Sequence, residues 1–200
     1  MDKERIRQRR VPRQERSEAR VQGILKSAEE EFGRKGYAAA TMTAIAEAAG
    51  ASIGAVYQYF PDKASLAQAL RLRYAQDWER HWMELERDLD LDSEALAERI
   101  FALMLGFVRE HPAYLTLVDE GPIFKKSPED RLRRRAQLAG LLRRRNPSLN
   151  EEEALRIAQV AMQAVKGLWP LILEPRPAER EAWVLEYRRL LAAYLKSRVG

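Results

Sequence analysis

The sequence predicts an all-α protein. Alternating runs of β-branched residues are absent, apolar residues recur at helical spacing, and prolines fall between the periodic segments. About nine helices follow from this pattern, in three stretches: a basic arm over 1–16, a helix-turn-helix unit over 17–62, and a larger helical unit over 63–200.

The arm is polar, basic and broken by Pro12, so it is expected to be flexible. Ser17 can cap the first helix, whose buried stripe is Val21, Leu25, Ala28 and Phe32, with Ile24 beside it. Gly36 is suited to end it as a left-handed cap. Thr41 caps a short helix near 42–49, Gly50 breaks it, and Ser52 caps another that ends near Phe60. Pro61 and Asp62 open a fourth helix through Leu66, Leu70, Tyr74, Trp78 and Trp82. Longer amphipathic segments follow at 93–110, 112–120, 128–145, 150–173 and 177–198. Pro170 should kink or shorten the helix that contains it.

With 200 residues, 46% of them hydrophobic, the chain can build a substantial core. The net charge of +5 is unevenly spread. Lys3, Arg5, Arg7, Arg9, Arg10, Arg13 and Arg16 crowd the arm, and Arg131, Arg133–Arg135 and Arg143–Arg145 form a second group. Such clusters suggest a polyanionic partner, nucleic acid before membrane. There is no cysteine, which excludes disulfides and thiolate metal sites. The N-terminus has no apolar core of a signal peptide, and the run from Phe101 to Val108 is too short to span a bilayer. A soluble cytoplasmic protein without a membrane partner is expected.

His81 and His111 have no partners at metal-ligand spacing, and neither a glycine-rich phosphate loop nor a serine nucleophile motif occurs. The expectation is therefore no catalytic residue, no metal and no cofactor. The carboxylates Glu29–Glu31 and Glu151–Glu153 read as helix exteriors or helix starts.

The informative stretch is 41–60, TMTAIAEAAGASIGAVYQYF. Helices this short are marginal alone and must pack on a third, which 17–35 supplies. Ile45, Ala46, Ala49, Val56 and Phe60 make the small core, and the alanines allow a close crossing. The outer face of the second helix is then free to enter a major groove. An ordinary helical pair within a bundle is the alternative reading of these residues.

ILKSAEEEFGRKGY (24–37), TMTAIAEAAG (41–50) and SIGAVYQYFPDKASL (52–66) resemble the DNA-binding domain of the TetR/AcrR family of repressors. The rest of the chain is similar to that family in length and layout only. The resemblance implies a cytoplasmic homodimer that binds double-stranded palindromic operator DNA and lets go on binding a small, largely apolar effector. It implies that Thr41 and Ser52 cap helices beside phosphates, that Tyr57 and Tyr59 hydrogen-bond phosphates, and that Lys63 adds a charged contact. Thr43, Ile53, Gly54, Ala55 and Gln58 take the base-reading positions. Ile53 and Ala55 depart from the polar residues common there, so Gln58, DNA shape and the arm should carry more of the specificity.

The resemblance further assigns the C-terminal unit to effector binding and dimerisation. The middle helices supply bulky, adaptable side chains for a pocket: Trp78, Trp82, Phe101, Met104, Leu105, Val108, Tyr114, Phe124 and Leu138. Any helical core needs such residues as well. The last two long helices supply a dimer face from Met162, Val165, Trp169, Trp183, Tyr187, Leu191 and Tyr194, as an intersubunit four-helix bundle or as subunit core alone. The arginines of 131–145 are solvated or bind an anionic headgroup, such as the nucleotide end of a fatty acyl-CoA. Rival readings are a helical ligand- or partner-binding module that keeps the helix-turn-helix as scaffold, and an activator instead of a repressor.

Overall fold

A computed structural model of the chain describes residues 13–87, 91–120, 128–173 and 177–200. All regular structure among them is helical. The order is α1 (Arg13–Ala39), α2 (Met42–Ala48), α3 (Ile53–Tyr59), α4 (Lys63–Leu85), α5 (Ser93–Glu110), α6 (Tyr114–Glu120), α7 (Pro128–Arg145), α8 (Glu151–Gly167), α9 (Trp169–Leu173) and α10 (Pro177–Arg198). Counting α9 as the continuation of α8 returns, among the described residues, the nine helices expected.

Several boundaries differ from the sequence reading. The first helix starts at Arg13, ahead of Ser17, so Arg13–Arg16 are helical and do not belong to an arm. Residues 1–12 of that arm, and Phe124 of the expected pocket, lie outside the described residues. The Ser17 hydroxyl is not a cap but stands 3.1 Å from the Tyr59 hydroxyl, tying α1 to the end of α3. Gly36 does interrupt α1, but its ψ of 161° at φ 82° is extended, outside the left-handed helical region. The segment 150–173 breaks at Leu168, just ahead of Pro170. Pro170 then sits in the first turn of α9, where its missing N–H has no intrahelical acceptor to satisfy.

The buried side chains form two clusters. The first gathers Ile24, Ala28 and Phe32 of α1 with Ile45, Val56, Leu66, Leu70 and Tyr74, and it takes in Phe107 of α5 and Leu117 of α6. The second gathers Trp82 and Leu85 with Leu96 and Phe101 of α5, Leu138 and Leu142 of α7, Ile157 and Val165 of α8, and Leu191 and Leu195 of α10. Helix α4 contributes to both. Its first half lies in one cluster and its last turn in the other, so one continuous helix spans the two units.

Candidate functional site

Two short helices are held in place by small, local devices. Thr41 Oγ1 accepts from Ala44 N at 3.2 Å and Ser52 Oγ from Ala55 N at 3.2 Å, so each helix starts on a hydroxyl cap. Between them Gly50 takes φ 60°, which a side chain would resist, and the chain turns within four residues. Ile45, Ala46 and Val56 are buried in the same cluster as Ile24, Ala28 and Phe32 of α1.

The opposite surface is open. Thr41, Thr43, Ser52, Gly54 and Gln58 are exposed, Ala55 is half-buried, and Ile53 and Tyr57 are 39% and 50% exposed. No charged residue occurs in α3, IGAVYQY. Tyr59 is half-buried and tied to Ser17. Lys63 is engaged: its Nζ donates to the carbonyls of Tyr37, Ala38 and Ala40 at 2.6, 3.0 and 3.0 Å, and it lies 4.6 Å from the Tyr37 ring centroid. A lysine in the first turn of α4 thus satisfies carbonyls beyond the break in α1. The same turn is closed by a capping box in which Ser65 N donates to Asp62 Oδ1 at 2.7 Å.

Behind this surface, α1, α4 and α5 meet at a buried polar cluster. Glu29 Oε1 accepts from the Tyr74 hydroxyl at 2.8 Å and faces His111 Nδ1 at 3.1 Å. His111 Nε2 lies 3.3 Å from Asp77 Oδ2, at ion-pair distance but not aligned as a hydrogen bond. Arg80 pairs with Asp77. Burial, and then the Glu29 carboxylate, push the Tyr74 phenol far above its ordinary range, so it stays a donor. The exterior reading of Glu29 and Glu31 is corrected here: both are buried. Glu29 lies four residues after Leu25 and three before Phe32, on the inward stripe, where a carboxylate needs partners. Hydrogen bonds from Lys35 and then Arg34 hold the Glu31 carboxyl below the usual range.

A cavity of about 100 Å³ opens between α4, α5, α7 and α8. Trp78, His81 and Trp82 of α4, Met104 of α5, Tyr114 of α6, Arg134 and Leu138 of α7, and Met162 and Lys166 of α8 are among its walls. Five residues expected at a pocket, Trp78, Trp82, Met104, Tyr114 and Leu138, therefore stand together. Phe101 is buried in the core, and Leu105 and Val108 are half-buried away from the lining. Met162, Val165, Trp169 and Leu191, expected at a dimer face, also line this cavity. Of the arginines read as solvated or headgroup-binding, Arg134 is half-buried. Leu138 and Leu141 follow it at four and seven residues and are buried, so the spacing puts Arg134 on the inward side.

On α8 and α10 the outward apolar residues are Val160, Trp183, Leu185 and Leu190, with Trp183 42% and Leu190 55% exposed. Tyr187 is half-buried, its hydroxyl donating to the Gly167 carbonyl at 3.2 Å, and Tyr194 is half-buried too. Sequence reasoning misses Val160 and Leu185. The signal lies in α10, which is apolar along two stripes, Val184–Leu191–Leu195 inward and Trp183–Leu190 outward.

Among the described residues no helix is long and apolar enough to cross a membrane, and no group of three or more His, Asp or Glu could hold a metal ion.

This arrangement has counterparts among known proteins. Residues 24–70 match the family described as "Bacterial regulatory proteins, tetR family", and residues 92–195 match the "Tetracyclin repressor-like, C-terminal domain". The HTH-type transcriptional regulator TtgR of Pseudomonas putida is 44% identical over 61 residues, 30% of this chain and only 29% of that protein. A TetR-family transcriptional regulator from Streptomyces coelicolor is 25% identical and superposes with a TM-score of 0.62 over 90% of this chain and 99% of its own. A transcriptional regulator from Cytophaga hutchinsonii, 19% identical, superposes at 0.70 over 91% and 100%, which shows the shared fold. The second family match alone spans more than half of the residues, and the chain belongs to the TetR family of DNA-binding transcription regulators.

Proposed function

We propose that the protein is a dimeric repressor that grips a palindromic operator with paired α2–α3 units and is released by a small, largely apolar effector in the α4–α8 cavity. The observation that carries this reading is the course of α4. Only three residues separate it from the end of α3, and its Trp78, His81 and Trp82 form a wall of the cavity. An occupant that moves this wall moves the reading helix.

The size of the cavity supports such coupling. About 100 Å³ is less than the roughly 150 Å³ that accommodates benzene, and drug-sized ligands need about 300–1,000 Å³. An effector larger than the cavity must push its walls apart. It then prefers the displaced state, and a near-complete switch requires about 10⁴-fold preference, roughly 5.5 kcal/mol.

On the DNA side, Thr41, Ser52 and Tyr57 meet phosphates while Thr43, Ile53, Gly54, Ala55 and Gln58 face bases, with Tyr59 and Lys63 bracing the unit from behind. Ile53 and Ala55 suit a thymine methyl, and Gln58 suits adenine. The dimer brings together Val160, Trp183, Leu185 and Leu190 of two subunits, because so much apolar surface on adjacent helices calls for cover.

A gel shift on DNA from upstream of the protein's own gene tests the reading. A dimer that neutralises about six to ten phosphates binds roughly 10³–10⁵-fold more weakly at about 200 mM than at about 50 mM salt. A flat salt response, or no preference for a palindrome, would refute it.

A further inference from the structure

The cavity walls are chemically lopsided. Arg134, Lys166 and His81 line it, and among the described residues no aspartate or glutamate does. Arg134 makes one contact that decides its position: its guanidinium carbon stands 5.3 Å from the Trp78 ring centroid. Its Nε is buried without a hydrogen-bond partner, and so is Nε1 of Trp82 on the same walls. Two donors in one cavity therefore lack acceptors.

Two acids stand near Arg134. Glu79 accepts from Gln137 Nε2 at 3.0 Å through Oε2 while its Oε1 is buried without a hydrogen-bond partner, and Asp130 faces Arg133 at 3.2 Å; neither lines the cavity. Their field reaches Arg134, yet desolvation outweighs it and drives the guanidinium below its ordinary range. The Tyr114 phenol, within the field of both Arg134 and Lys166, is pushed up by burial and remains a neutral hydrogen-bond group. Gln137 Oε1 is the acceptor on these walls that is buried without a donor. A half-buried guanidinium whose Nε has no acceptor among the described residues is costly, and an arriving anion lowers that cost.

We propose that the effector is an apolar acid whose carboxylate sits against Arg134, with its hydrocarbon or aromatic body along Met104, Leu138 and Met162. The proposal rests on the reading of this cavity as the effector site and adds the charge of its ligand. An amide offers one acceptor oxygen and no charge where the acid offers two and a full negative charge, so discrimination comes from one end of the molecule and bulk affinity from the other.

Calorimetric titration of the full-length protein with octanoate and indole-3-acetate, against octanamide and indole-3-acetamide, tests this at neutral pH. Each acid should bind about 10-fold or more tightly than its amide. In R134Q the preference should fall toward one, while R134K, which keeps the charge, should retain part of it. Equal binding of acid and amide by the native protein, or a preference that survives in R134Q, overturns the proposal. Should those equal binders still release operator in a gel shift, the effector-site reading stands without it. Failure of all four compounds to bind overturns the proposal. Acids that bind through Arg134 yet leave operator binding unchanged would support the ligand class and sink the effector role.

Discussion

His111 Nδ1 lies 3.1 Å from Glu29 Oε1, which fastens the end of α5 to the first helix of the DNA-binding unit. The Tyr74 hydroxyl donates to the same oxygen at 2.8 Å, so one carboxylate oxygen joins α1, α4 and α5. All three side chains are buried. Removing one partner leaves the others desolvated and unpaired, which costs about 1–3 kcal/mol per stranded group. H111A and E29Q should each lower the unfolding free energy, read from the midpoint and slope of urea titrations, by an amount in that range. Because the groups share one oxygen, the double variant should lose less than the sum, with a coupling of at least about 0.5 kcal/mol. Strict additivity would show that the two side chains do not act together.

Lys63 and Tyr57 should separate in their salt behaviour. The Lys63 ammonium faces three carbonyls, whereas Tyr57 stands half in solvent on the reading side. K63A should lower thermal stability and leave the slope of log affinity against log salt unchanged. A slope reduced by about 0.9 would mean that the ammonium leaves the carbonyls for a phosphate. Y57F should keep native stability and weaken binding to all DNA sequences alike, as measured by fluorescence anisotropy on specific and random duplexes.

What the sequence revealed and what it hid follow one physical rule. Local periodicity and capping are encoded within a few residues, so the hydroxyls of Thr41 and Ser52, the turn at Gly50 and the inward stripe of α1 were legible. Contacts between distant segments were not. Glu29 looks like one of three solvated glutamates until the fold brings His111 and Tyr74 to it. Arg134 lies in a run of arginines, and its spacing from Leu138 and Leu141 marks the inward side only once the fold buries those leucines and brings Trp78 to it. Met162 and Val165 carry an apolar stripe that fits a cavity wall as well as a subunit interface, and spacing alone cannot decide between the two.

The outward stripe of α10 makes the dimer testable. Trp183 and Leu190 are seven residues apart on one helix face and largely open. L190E and W183E place a charge where a partner's apolar face should pack, and a buried unpaired charge is costly. Sedimentation equilibrium should give a dimer for the native protein and a monomer for either variant at micromolar concentration. Unfolding of the isolated subunit should change little, since neither side chain belongs to its core. A native protein that sediments as a monomer would remove the two-headed grip on DNA.

Gly33 offers an internal control for how tightly the two units are joined. A Cβ built there would meet the Pro112 carbonyl carbon at 3.0 Å, its oxygen at 3.1 Å and Ala113 N at 3.2 Å. All three are backbone atoms and cannot rotate away. Gly23, on the same helix, has nothing within 4 Å of such an atom. Alanine is favoured over glycine inside a helix by about 1 kcal/mol at either position. At Gly23 nothing opposes this, and G23A should be stabilising by up to that amount. At Gly33 overpacking costs roughly 1–3 kcal/mol, which outweighs the gain. G33A should therefore be net destabilising and should lever α1 off the corner that holds His111. Paired urea titrations of the two variants decide the matter: midpoints that rise together would show that α1 is free to shift against α5 and α6.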